Sequence, residues 1–325
     1  MLYDFCPKWH FSRFLQIEKS NALFIVSNRV KIVVERSLQA RSRKIDFIKK
    51  GKLGYWCDII KNGVRKMNKK EFIRKSKEHL ANYKERKLGE TGCGKWWGNN
   101  REYKHILPID KSFKNIIKSN FHNELINLLD NNSVHLGFHH LNSSQALALN
   151  LFGPLVKKNK LNLIDSNIMS KAIGKFEYIE NQNENTNFDF FINNLFGTNY
   201  YFEVKYSEED FGKATDNETH KQKYNEIYEP ELKKITQIKE IEFYNEYQLW
   251  RNILYAKNGM VYFVLPSLRT DLIEKVNNAK QKIFNKANND RINILLIEEL
   301  VDRCKQIDEL RDHYIEFEEK YLKFI

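Results

Sequence analysis

The run YYFEVKY (200–206) places a carboxylate and an ammonium two residues apart, at Glu203 and Lys205, inside an otherwise apolar segment. Successive side chains of a strand point to opposite faces. Glu203 and Lys205 therefore share a face with Tyr201, and Phe202, Val204 and Tyr206 turn to the other, into a core. Two such charges are costly to bury without a use. Asp189 lies fourteen residues before Glu203, in the run NFDFFINN (187–194), and Gly197 between the runs supplies turn chemistry. A tight hairpin there would bring the two carboxylates side by side. They would repel each other unless a cation sat between them. Hard oxygen ligands with open positions suit Mg²⁺, with Mn²⁺ as a substitute. Such an ion stabilises charge on a phosphoryl group and lowers the pKa of a bound water, while Lys205 would orient or polarise that water. The chemistry so described is phosphodiester hydrolysis. The bland alternative is an edge hairpin whose polar face meets solvent, because a pattern this short often matches by chance.

The surrounding elements decide whether these groups could meet. Residues 67–89 have helical character, and 91–110 form a Gly-rich loop leading to a short extended segment that ends at Pro108. Apolar spacing predicts a helix over 113–131. A second helix follows FHHLN, with Asn142 as its cap, Gln145 in a capping-box position, Leu147, Leu151 and Leu155 as its apolar face and Pro154 at its end. Three strands are predicted at 175–180, 187–194 and 199–207. A polar stretch, 208–229, comes next. A helix is then predicted over roughly 231–257, followed by a buried strand at 260–268, a further helix, a strand or helix start at 291–300 and a C-terminal amphipathic helix. This order, helix–strand–strand–strand–helix–strand, predicts an α/β domain with a mixed central sheet flanked by helices.

That order, with an acid on the second strand and ExK on the third, resembles the PD-(D/E)XK nuclease superfamily. Asp189, Glu203 and Lys205 match its catalytic positions one by one, and Asp189 and Glu203 its metal ligands. The stretches REYKHILP (101–108), HHLNSSQALALNLFGPL (139–155), KFEY (175–178), FDFFI (188–192), FEVKYSEEDFG (202–212) and YQLWRN (247–252) resemble its restriction-endonuclease-like branch. One departure is that Asp189 follows Phe188 and not a proline. The resemblance implies a restriction-endonuclease-like core and a Mg²⁺-dependent DNA endonuclease of restriction or host-defence type. Position suggests further contributors. Glu177 on the first strand would add a metal or water contact, or be an exposed strand carboxylate. Glu208 would orient the lysine or bind a second metal. Gln145 would face the site or only cap its helix. Gln248 and Tyr255, seven apart on one helix face, resemble the Gln…Tyr pair of RecB-like nucleases, or form a buried polar pair. That spacing keeps a repair or recombination nuclease open as an alternative.

Charge and composition fit this reading without requiring it. The chain has 325 residues, 42% hydrophobic, and a net charge of +12. Residues 1–110 hold 26 basic and 11 acidic residues, and 1–66 alone hold 15 and 5. A basic face attracts phosphate backbones without reading sequence, and equally solubilises a protein. A non-catalytic nucleic-acid binder that kept the fold is therefore the competing class. Lys95, Trp96, Trp97 and Arg101 could stack on or clamp nucleic acid, or form a packed aromatic corner. Residues 1–66, with strand-like character over 23–34, are expected to be a basic extension dispensable for a nuclease-like domain over 67–325, or a misassigned start. Residues 208–230 would be a DNA-facing insertion.

The cysteines, Cys6, Cys57, Cys93 and Cys304, form no CxxC pair, which suits a reducing cytoplasm. No run approaches the ~20 apolar residues of a membrane span. His135, His139 and His140 lack the spacing of a zinc finger, although His139 or His140 near a helix start could contact phosphate. GETGCGKWWG lacks the ending of a P-loop. DNA is the expected partner. A homodimer would suit an enzyme that cuts both strands, although no interface signal appears.

Overall fold

The computed structural model describes residues 67–325 apart from Trp97, 130–133, Asn183, Phe196, Asp216 and Ile325. The strands expected over 23–34 and the extension 1–66 lie outside the described residues.

The helices are α1 (Lys69–Leu88), α2 (His122–Ile126), α3 (Ser144–Lys157), α4 (Glu218–Lys223), α5 (Glu229–Leu232), α6 (Glu240–Asn245), α7 (Tyr247–Leu254), α8 (Thr270–Gln281), α9 (Lys286–Asp290), α10 (Ile297–Lys305) and α11 (Asp308–Tyr321). A small hairpin pairs β1 (Gly94–Lys95) with β2 (Glu102–Tyr103). The main sheet runs β3 (Ile173–Ile179), β4 (Asn187–Asn193), β5 (Asn199–Val204), β6 (Gly259–Leu265), β7 (Ile292–Leu296), in that spatial order. Its first three strands are antiparallel, and β5–β6 and β6–β7 are parallel. This is the mixed α/β sheet that the alternation of elements predicts.

Side-chain alternation on β4 and β5 divides the apolar residues between two layers. Phe190, Ile192, Phe202 and Val204 pack with α3, α10 and α11. Phe191, Tyr201, Val261 and Phe263 pack with α6, α7 and α8 on the other face. The Phe152 and Phe190 rings stack at 4.5 Å, fixing α3 across the sheet. Such a pair contributes about 0.5–1.5 kcal/mol beyond burial alone.

Several local expectations are corrected. Residues 113–131 do not form one helix. A 3₁₀ turn (Ile109–Asn115) ends where Ile116 becomes extended, and the Ile117 N–H goes to Asn150 Oδ1. The cap of α3 is Ser143, which accepts from Ala146 N–H, while Asn142 donates instead to Ser207 Oγ. Pro154 lies inside α3, which continues to Lys157. Proline has no N–H to give to the carbonyl four residues earlier. That carbonyl, Asn150 O, is served by His313 Nε2 at 2.8 Å, which is how the helix tolerates the proline.

The helix expected over 231–257 is broken into α5, α6 and α7. At Glu246 the backbone leaves the helical region, and the first N–H groups of α7 go to Gly212 O and Phe211 O. The polar stretch after β5 is not a free insertion, because Tyr224, Tyr228 and Leu232 are core residues.

Candidate active site

The β4–β5 register Phe190↔Phe202, continued by one residue, sets Asp189 opposite Glu203. On the other side, Phe176↔Phe190 and Tyr178↔Phe188 bracket Glu177 opposite Asp189. Glu177, Asp189 and Glu203 therefore lie abreast on three neighbouring strands. The ladder skips the Glu177 position, where φ is +50°, a left-handed value in the middle of a strand. A non-glycine residue held there stores on the order of 1–3 kcal/mol, the kind of strain that collects at functional sites. The β5 ladder runs one residue past Val204, since Lys205 N–H donates to Val264 O at 3.0 Å. This keeps Lys205 in the sheet, two residues beyond Glu203 and on the same face.

All four groups line one cavity of about 390 Å³, together with His140, Gln145, Glu208 and Gln248. Glu203 is 1% exposed. Its Oε1 lies 3.0 Å from Lys205 Nζ, and its Oε2 accepts from Asn252 Nδ2 at 2.9 Å. Asp189 Oδ2 accepts from Val204 N–H at 2.7 Å. Glu177 accepts from Asn187 Nδ2, stands 3.8 Å from His135 Nε2, and keeps Oε1 without a hydrogen-bond partner.

Burial and repulsion set the titration of these groups. Desolvation, then Glu203 and Glu177, push Asp189 well above the usual carboxylate range. Burial, then repulsion from Glu203, raises Glu177 to about 7 against the help of Asn187. Desolvation alone would lower Lys205, but Glu203, Glu208 and Asp189 hold it above its ordinary value, as an ammonium. The site therefore gathers more carboxyl groups than one lysine can keep ionised.

Among the described residues no three His, Cys, Asp or Glu side chains stand as a ready metal cluster. Mg²⁺ does not require one, because it is held by one or two carboxylates plus water and phosphate oxygens. The donor set fits on that count. Asp189 and Glu203 are hard oxygen donors open to the cavity, and Glu177, steadied by Asn187 and Gln145, keeps a buried Oε1 without a hydrogen-bond partner.

The remaining sequence candidates divide. Glu208 lines the cavity and accepts from Tyr206 N–H at 2.6 Å. Gln145 lines it too, with Oε1 accepting from His135 N–H, so its role is not the capping box. Gln248 lines it from α7. Tyr255 does not. Its ring packs on Phe188 and Tyr201, and its hydroxyl donates to Glu184 at 3.0 Å, facing a different cavity. Lys95, Trp96 and Arg101 belong to the β1–β2 hairpin and line none of this cavity, and Trp97 lies outside the described residues. Trp96 meets Tyr103 edge-on at 6.2 Å and is 42% exposed.

Sequence reasoning missed Asn252 and Asn187, which fix Glu203 and Glu177. Asn252 had a signal. It follows Gln248 by four residues, the nearest spacing on one helix face.

The sequence model of a family described as restriction endonuclease associating with ARP matches residues 77–322. No curated protein and no solved structure matches the chain.

Proposed function

The chain belongs to the family of restriction endonucleases associating with ARP, and on that premise we propose that the cavity of Asp189, Glu203 and Lys205 hydrolyses DNA phosphodiester bonds with Mg²⁺. One observation carries this reading. Three carboxylates lie abreast on adjacent strands, with one buried ammonium 3.0 Å from Glu203, at the wall of an open cavity. Asp189 and Glu203 would hold the ion, and Glu177 would take a water or a second contact. When bound, the ion supplies charge stabilisation at the phosphoryl group and acidifies water, and Mn²⁺ would serve in its place.

The chain's own residues do the rest. Lys205, held charged by its acidic neighbours, orients the attacking water and offsets charge on the phosphate in the transition state. Asn252 and the Val204 N–H fix the two ligand carboxylates. Glu208 keeps the Lys205 ammonium facing acid on both sides. Host defence, and association with ARP as the family's description has it, follow from the same membership. The Gln248 and Tyr255 spacing no longer supports the repair-nuclease alternative, since Tyr255 stands away from Gln248's cavity.

Plasmid incubated with the purified protein and Mg²⁺, beside Lys205→Ala, tests the reading. We expect the variant to lose about a hundred- to thousand-fold in rate. Equal cutting by both proteins sinks the assignment. Metal-independent DNA retention without cutting by either protein would favour the non-catalytic binder.

A further inference from the structure

Loop 134–143 sends its side chains to two different cavities. His135, Gly137 and His140 line the catalytic one. Leu136 and His139 line a neighbour of about 400 Å³, whose wall also carries Cys93, Lys95, Pro108 and Ile109. Leu136 and Ile109 are 72% and 67% exposed, the two most exposed large apolar side chains among the described residues. They flank the same pocket. His139, by contrast, is 5% exposed. Its Nε2 donates to Lys95 O at 3.1 Å, and its Nδ1 has no hydrogen-bond partner. Lys95 is exposed, and Asp110 is the acidic group beside it.

We propose that this pocket receives an unpaired nucleobase of the nucleic acid whose backbone enters the catalytic cavity, with Leu136 as the wedge that parts the base from its neighbours. The proposal rests on reading the adjoining cavity as a nucleic-acid site. A base is a flat ring with apolar faces and a polar edge. Leu136, Ile109 and Pro108 offer the faces, and the exposed Lys95 amine offers a charged group to the edge. The shared loop sets the pocket beside the catalytic cavity. Apolar side chains presented in this way unstack base steps. Extruding a base costs least where it is already unpaired or mismatched. The substrate class is therefore DNA with an unpaired or mismatched base next to the cut. A protein partner fits less well, because two large exposed side chains around a small pocket fall far short of a stable interface, whereas the volume lies in the range of small-ligand sites.

Duplexes carrying 2-aminopurine at successive positions, with and without a mismatch, test the pocket when titrated with the full chain in EDTA, which prevents cutting. Binding is expected to raise the fluorescence at one position, more strongly in the mismatched duplex. Leu136→Ala is expected to abolish the rise and weaken binding about tenfold, the scale of a lost base stack. Leu136→Phe restores both, and neither substitution at this exposed position moves the melting temperature. No rise at any position, or a rise untouched by Leu136→Ala, overturns the proposal. So does self-association of the chain that Leu136→Ala abolishes, which would make the patch a protein contact. Cutting of the mismatched duplex in Mg²⁺ separates the two readings. A rise without cutting upholds the pocket and fails only the nuclease assignment. Cutting without a rise does the reverse.

Discussion

Two buried polar clusters in this protein differ in one respect. Between α3 and α11, Asn115, Asn150, His313, Lys320 and Tyr321 are at most 1% exposed. Their hydrogen-bonding groups are matched. Asn150 accepts from Ile117 N–H and donates to Asn115 O and Tyr321 Oη. His313 contacts Ser119 Oγ and Asn150 O, both at 2.8 Å. Burial drives Lys320 well below its ordinary pKa, against the pull of Glu316. Its Nζ donates to Asn115 O and Oδ1. Around the sheet's acidic row the opposite holds. Glu177, Asn187, Asn252, His140 and Asn142 each keep a buried polar atom without a hydrogen-bond partner. Three carboxyl groups there face one another across adjacent strands, and each resists the ionisation of the next. Buried polar groups in native proteins are nearly always paired, so unpaired ones call for a reason. The first cluster is matched for stability. On the function proposed above, the second is kept mismatched for the metal ion it would bind.

The largest effect should come from relieving that mismatch. Asp189→Asn removes one of three crowded carboxylates but keeps an oxygen for the Val204 N–H. Plasmid cleavage is expected to fall about a thousand-fold, while the metal-free protein gains about 1 kcal/mol in thermal unfolding. Mg²⁺ at a hundred times its dissociation constant should stabilise the wild type by about 2.7 kcal/mol and leave the variant unmoved. A variant that melts earlier and still cuts would erase the distinction between the clusters.

The matched cluster should respond the other way. Asn150→Ala strands the Ile117 N–H and leaves Asn115 O and Tyr321 Oη each without one contact. A loss of about 3 kcal/mol is expected in denaturant unfolding. At low temperature the surviving folded molecules should cut DNA at the wild-type rate. A cleavage defect larger than the folding defect would couple the clusters after all.

pH separates them by sign. Burial lowers His313 to about 4, so the unfolded chain binds the extra proton first. Its contribution is full above the unfolded histidine value near 6.5, and is lost as pH falls towards about 4, on the order of 3 kcal/mol in all. Glu177 is raised to about 7, so here the folded chain holds the proton longer. Stability from that group declines as pH rises from about 4.5 to 7. In EDTA, melting temperature against pH should flatten at the acid end in His313→Gln and rise more steeply towards neutral in Glu177→Gln. Parallel profiles would contradict the assignment of either group.

How much of this could be read from the residues depends on how local the cause is. The β4–β5 hairpin was legible because alternation in NFDFFINN and YYFEVKY and the turn at Gly197 act within twenty residues, and they fix the register that sets Asp189 against Glu203. The break at Glu246 was not, because helical periodicity continues across it and the cause is a loop, Phe211 and Gly212, more than thirty residues earlier. Tyr255 was misplaced for a reason of its own: α7 ends at Leu254 and Tyr255 opens a 3₁₀ turn, so the seven-residue spacing no longer implies one face. Pro154 misled as the break at Glu246 did. The donor that rescues its helix, His313, is remote in sequence.

Asn252 offers the finest test of the comparison, because it belongs to both kinds of chemistry at once. It is fully buried, its Nδ2 is matched to Glu203 Oε2, and its Oδ1 is unmatched. If its task is to hold a ligand carboxylate in register, Asn252→Ala should lower kcat about tenfold, with a smaller change in KM, because the carboxylate gains freedom while the DNA contacts stay. Asn252→Asp keeps the shape but adds a fourth acid beside Glu203. It should raise the Mg²⁺ concentration needed for half-maximal cutting and lower metal-free stability, whereas a purely structural asparagine would leave the metal requirement where it was. The metal titration of these two variants therefore distinguishes a positioning residue from a packing one.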